Sequence, residues 1–373
     1  MRPWTSLAKP LAASLLLSLT ALPAGAQEAT TNGAGLNEAA VPGVMQKAID
    51  DVIRPGYRAV HDSASKLTTA MKTLCVDPSA ASLSAAQSAF GDTVKSWSRI
   101  EIVQTGPIIE KNRFEHILFY PDRKGVGLKQ VQALIAKADE HDTTVEAVAG
   151  KSVALMSMTA LEYVLYGNGS SVLSSEKQGF RCRYGAAIAG NIENVSKEIA
   201  DEWDDPNGVQ KSWKNPSKDS EEFMDNKEAV TALLGILVHG AGNVRDQRLE
   251  TFYKGDPAAA RPKMAIYWRS GNTWTSLTAN LEGLRALWEK AGMADLLPAD
   301  KRDMAGEIDA LLDKLIATAP TINPDIDAAI ASDADRAKID RLLADTRDLT
   351  TGFSDNYGGA IGLSAGFSFA DGD

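Results

Sequence analysis

From residue 37 onward apolar residues recur every three or four positions along nearly the whole chain, while strand-like alternation is scarce. That pattern constrains the fold more than any motif does, because a 3.6-residue period can bury its apolar stripe only against other helices. It predicts helices at about 37–74, 126–139, 182–204, 220–253, 273–291, 301–318 and 334–350. Asp77-Pro78 reads as a cap with proline at the first helical position of "SAASLSAAQSAFGDTVKSW". Thr143 and Glu146 read as a capping box opening a helix that runs on through "VALMSMTALEYVLYG". Roughly ten helices exceed what one core organises, so an all-α fold of two packed helical bundles is expected. The expected N-terminal bundle is 37–175 and the C-terminal bundle 176–373, with an irregular tail and the break at the Gly- and Ser-rich "GNGSSVLSSEKQG". The polar stretch at 204–220 reads as a long connection.

The first 26 residues carry Arg2 and Lys9, the apolar core "LAASLLLSLTAL" and a small-x-small Ala24-Gly25-Ala26, the pattern of an export signal. A mobile lead-in at 27–36 is expected to follow, and no later apolar run reaches the roughly 18–20 residues that span a bilayer. The expected location is the periplasm. Cleavage removes Arg2 and Lys9 and no acid, taking the net charge from −10 to −12. That acidity argues against a nucleic-acid partner, since phosphate binding needs a basic surface. Cys75 and Cys182 are the two cysteines, and in an oxidising compartment they are expected to pair.

One residue breaks the pattern. Glu162 is the single charge in "SMTALEYVLYG", an otherwise uncharged segment that reads as a helix buried on all sides. A buried carboxylate needs a hydrogen bond, an ion pair, a proton or a cation. Thr159 and Tyr166 share its helical face. The residues placed around it as candidate ligand-binding groups are Trp97, Glu101, Arg113 and Tyr120 from the first half, with Asp246, Arg248, Arg269 and Ser270 from the second. Any of the three arginines could instead pair with Glu162 and make the site a structural ion pair.

The segment resembles the signature of the imelysin-like family, the iron-regulated or so-called insulin-cleaving proteins: Gly-x-His-x-x-Glu, an apolar stretch and glycine. Here it reads Ser157-Met158-Thr159-Ala160-Leu161-Glu162 and then "YVLYG", so glutamate is kept and histidine is replaced by Thr159. "WSRIEIVQTGP", "YPD", "FRCRY", "YWRSGNT" and the closing "GFSFADGD" extend the resemblance over most of the chain. It implies an all-helical two-bundle fold, export, and a link with iron uptake or a metal-dependent role. An outer-membrane or periplasmic iron-uptake partner would accompany that role.

Two readings follow. In one, Glu162, Glu101 and Asp246 offer hard oxygen ligands to iron or another divalent or trivalent metal, with Glu162 as the metal ligand. In the other, the protein binds a small molecule, peptide or partner protein without metal. The loss of histidine bears on the first, because threonine is a poor transition-metal ligand. A metallopeptidase lacks support, since His-Glu-x-x-His is absent, and so does a haem protein with a Cys-x-x-Cys-His attachment. His239 lies in the apolar run "TALLGILVHGAGNV" and reads as a satisfied core histidine.

Overall fold

The computed structural model describes residues 35–365 apart from residue 221, so the predicted leader at 1–26, most of the lead-in and the closing "GFSFADGD" lie outside the described residues. The described chain is helical throughout, with no strand among its residues. In order, the helices are α1 Val41–Lys47, α2 Arg54–Val76, α3 Ala80–Ile100, α4 Arg113–Ile117, α5 Val126–Lys137, α6 Val145–Ala149, α7 Met158–Tyr166 and α8 Phe180–Asp204. There follow α9 Val209–Lys214, α10 Asn226–Asn243, α11 Thr273–Lys290, α12 Ala305–Thr318, α13 Ile326–Ala331, α14 Asp333–Thr351 and α15 Gly359–Ile361. Short π-helical turns continue α1 at Ala48–Ile53, α10 at Val244–Leu249 and α14 at Gly352–Gly358.

Helix α2 shows why the periodicity becomes a bundle. Tyr57, Val60, Ala64, Leu67, Met71 and Leu74 are buried at three- and four-residue spacing, one stripe down the helix. Burying each leucine stabilises the fold by about 2 kcal/mol before entropy is counted. The stripe packs between α3 and α8, and the buried Cys75–Cys182 disulfide ties α2 to α8 across 107 residues. The helix that follows the Gly- and Ser-rich segment therefore stays with the first helices. On its other side α3 lies against α11, which also meets α10 and α12, and α14 packs on both of these. The result is an all-α fold of packed helical bundles whose halves meet at the α3–α11 seam.

That seam is close. A Cβ on Gly283 would sit 2.0 Å from the Arg99 carbonyl oxygen, so only glycine admits the approach. Polar groups fix its register: the Ser98 and Ser276 hydroxyls are 2.7 Å apart, and the Asn280 side-chain amide donates to the Ser98 carbonyl at 2.6 Å.

Three local expectations are corrected. Helix α3 begins after Ser79, not at Pro78, because Ser79 and Ser82 satisfy each other's backbone N–H groups in a reciprocal cap. No single helix runs from Thr143 through Tyr166. Thr144 caps the short α6, the chain breaks at Gly150, and α7 starts afresh after the extended Ser157. The polar 204–220 stretch is more than a connection, since α9 inserts Trp213 edge-on between Trp203 and Phe223.

Candidate functional site

Seven of the nine residues of α7 are buried, Glu162 among them at 2 % exposure. Its compensation comes from the turn that precedes α11. Ser270 donates both its backbone N–H, at 3.0 Å, and its hydroxyl, at 2.9 Å, to Oε1 of Glu162. Oε2 lies 3.7 Å from Nη1 of Arg269, whose guanidinium is 4.4 Å from the centre of the Trp268 ring and 5.6 Å from that of Tyr163. Burial pushes the Glu162 carboxyl above its usual range, while the Ser270 N–H, the Arg269 charge and the Ser270 hydroxyl pull it back.

The turn itself is held under strain. Tyr267 adopts φ +54 although it is not glycine, and Gly271 supplies the second left-handed position at φ +70. Asn272 N–H closes the turn on the Tyr267 carbonyl at 3.1 Å, and the Thr273 hydroxyl donates to the Ile266 carbonyl at 2.5 Å. A non-glycine residue in that conformation costs about 1 kcal/mol or more and persists only where its surroundings fix it. Here the outcome is a serine whose two donors converge on one carboxylate oxygen.

Glu162 lines a cavity of about 230 Å³ bounded by α7, the start of α5 and the segment 263–269. Its wall is chiefly apolar, with the rings of Phe119, Tyr120, Tyr163, Tyr267 and Trp268 among aliphatic side chains, and its charged groups are Asp122, Lys263, Arg269 and Glu162. Asp122 is engaged by the N–H groups of Val126 at 2.9 Å and Leu128 at 3.0 Å. Gly127 has no room for a side chain, since a Cβ would lie 2.9 Å from the Phe119 ring. Thr159, where the signature has histidine, turns its hydroxyl to the Phe119 carbonyl at 3.0 Å and lies 2.9 Å from the Ser157 hydroxyl. It holds the 119–120 segment against α7.

The structure divides the candidate residues. Tyr120, Thr159, Glu162 and Arg269 line one cavity, with Ser270 bonded behind it. Glu101 and Arg248 do not reach Glu162, because they form a buried ion pair with each other, joined by Asn280, whose amide donates to Glu101 at 2.7 Å. Arg113 pairs with Glu198 and Glu202 of α8 and donates to the Pro107 carbonyl at 3.0 Å. Trp97 is a core side chain packed 5.4 Å from the Phe114 ring. Asp246 is half exposed and bound to its neighbour Arg245. Lys263, Phe119 and Trp268 were not legible as cavity residues, since none stands out in sequence, yet Trp268 carries Arg269 on its ring.

The oxygen set expected for a metal therefore does not assemble. Glu162, Glu101 and Asp246 each have a different partner, Arg269 lying 3.7 Å from Glu162, Arg248 against Glu101 and Arg245 against Asp246. Among the described residues no three His, Cys, Asp or Glu side chains come together in a group that could hold a metal ion.

The model of the Imelysin peptidase family matches residues 53–352. The chain belongs to the imelysin family. A crystal structure of an imelysin-like protein from Psychrobacter arcticum 273-4 shares the fold at a TM-score of 0.71 and 20 % identity, covering 88 % of this chain and 98 % of that one. A second, from Parabacteroides distasonis ATCC 8503 and described as an iron-regulated protein A precursor, aligns at a TM-score of 0.70 and 16 % identity, covering 86 % of this chain and 95 % of that one. No curated protein matches. Within this imelysin chain the signature glutamate is thus a hydrogen-bond acceptor for Ser270, at the edge of a largely apolar cavity. No helix among the described residues is long and apolar enough to cross a membrane.

Proposed function

We propose that this imelysin-family protein is an exported, periplasmic binding protein that serves iron uptake, and that its cleft beside Glu162 takes a small organic ligand and not a bare metal ion. The observation that carries the reading is the double donation of Ser270 to Glu162 with Arg269 alongside. A carboxylate so engaged shapes and orients a cleft, and it has little left to offer a cation. The cavity wall suits a flat or apolar body, and the guanidinium of Arg269 and the ammonium of Lys263 favour an anionic substituent on it. Export is supported by the leader pattern and by the disulfide, which an oxidising compartment maintains. The link with iron rests on family membership and on the relative described as iron-regulated.

The test is native mass spectrometry of the protein isolated by periplasmic extraction from iron-starved cells. A small-molecule adduct is expected in the wild type and is lost in Arg269→Gln. Fractionation of the protein with the cytoplasm, or no adduct in the wild type, overturns the reading.

A further inference from the structure

A second pocket of about 390 Å³ lies on the far side of Tyr120 from the Glu162 cleft, and Tyr120 is the side chain the two share. Its inner wall carries Glu101, Arg248 and Asn280, all more than nine-tenths buried. The three are bonded to one another, yet each keeps one buried polar atom without a partner among protein atoms: Oε2 of Glu101, Nε of Arg248 and Oδ1 of Asn280. Each orphaned atom carries a desolvation cost of about 1–3 kcal/mol, so leaving three around one ion pair is a poor solution for a purely structural core. Two of the three are acceptors and one is a donor.

The element that presents Arg248 is also irregular. Val244–Leu249 is a π-helical turn, a geometry that recurs where a helix is bent to aim a side chain at a site. The Tyr120 hydroxyl sits between the Gln247 carbonyl of this turn, at 3.0 Å, and the Met264 carbonyl, at 2.9 Å, and the Arg248 guanidinium lies 5.2 Å from the Tyr120 ring centre. The rest of the wall is mixed: Ile102, Phe114 and Leu118 supply its apolar surface, beside polar groups such as Asn112 and Glu115.

We propose that this pocket is a binding site for a neutral, apolar α-amino acid. An ammonium group supplies donors to the carboxylate of Glu101 and the carbonyl of Asn280, and a carboxylate accepts from Arg248. Such a zwitterion, seated against the Glu101–Arg248 pair, sets an opposite charge beside each member and leaves neither stranded. The hydrocarbon side chain then lies against Ile102, Phe114 and Leu118. The site shares only Tyr120 with the Glu162 cleft and stands or falls apart from it.

Isothermal titration of the mature protein with L-leucine tests this, beside isoamylamine and 4-methylpentanoate, which keep the carbon skeleton and drop the carboxylate or the ammonium. Leucine is expected to bind with one-to-one stoichiometry, and each half-molecule to bind about ten-fold or more weakly, the worth of one charged hydrogen bond. Gln247→Trp fills the pocket from a partly buried position and leaves the Glu101–Arg248 pair intact; it is expected to abolish leucine binding with little change in the thermal midpoint. Absence of leucine binding, equal binding of all three compounds, or leucine binding that survives Gln247→Trp overturns the proposal.

Discussion

Ser270 places two donors on a single oxygen of Glu162, its N–H at 3.0 Å and its hydroxyl at 2.9 Å, from a turn 108 residues away in sequence. The contact fastens α7 to the start of α11 and so fixes one wall of the cleft. Ser270→Ala removes the hydroxyl and keeps the N–H. Because the acceptor is a buried carboxylate, the loss is expected to be about 1.5–3 kcal/mol, read as a lowered urea midpoint with unchanged slope.

Glu162 should also make stability depend on pH in a definite direction. Its folded value is raised above the ordinary 4.5, with burial the largest cause. The native state therefore holds this proton more tightly than the unfolded chain does. The resulting stabilisation is complete below about pH 4.5 and is lost as pH rises through the folded value. Compared with Glu162→Gln, the wild type is expected to gain stability on acidification from neutrality towards that point, measured by urea denaturation of both proteins at each pH.

Gly283→Ala tests the seam between α3 and α11. The added methyl would collide with the Arg99 carbonyl, and backbone cannot move aside as a side-chain tip can. A loss of about 3 kcal/mol or more is expected, the upper range for an overpacked core, with a thermal midpoint well below that of wild type.

The Glu101–Arg248 pair should behave as a buried ion pair. Arg248→Met alone strands the carboxylate and is expected to cost about 3–5 kcal/mol, whereas Glu101→Leu with Arg248→Met recovers most of it. A double-mutant cycle in urea reads the difference directly.

Replacing Cys75 and Cys182 together by alanine opens a loop of 107 residues. The expected cost is about 2–5 kcal/mol, seen as an earlier denaturation midpoint than the oxidised wild type shows.

How much of this could be read from sequence differs by scale. The all-helical fold was legible because the apolar stripe of α2, from Tyr57 to Leu74, is periodic over about five turns and overrides local ambiguity. The disulfide followed from the cysteine count and the expected compartment. Glu162 was legible as an anomaly, and Arg269 and Ser270 as neighbours in a short motif. Its separation from Glu101 was not, since which helix faces which depends on close approaches such as Gly283 against Arg99. The break between α6 and α7 was also hidden, because Gly150 alone is a weak stop signal and Thr144 caps as well as Thr143 would. Arg113 illustrates the same limit: its partners Glu198 and Glu202 lie one helical turn apart on α8, yet nothing in the sequence brings that face to residue 113.

The most direct test of the central claim, that Glu162 anchors a cleft and does not ligate a metal, is calorimetric titration of the apo-protein with ferrous, ferric and zinc ions, with elemental analysis of the recovered protein. No stoichiometric uptake is expected for any of the three, in the wild type or in Glu162→Gln. One equivalent of tightly held metal in the wild type, absent from Glu162→Gln, would contradict the account.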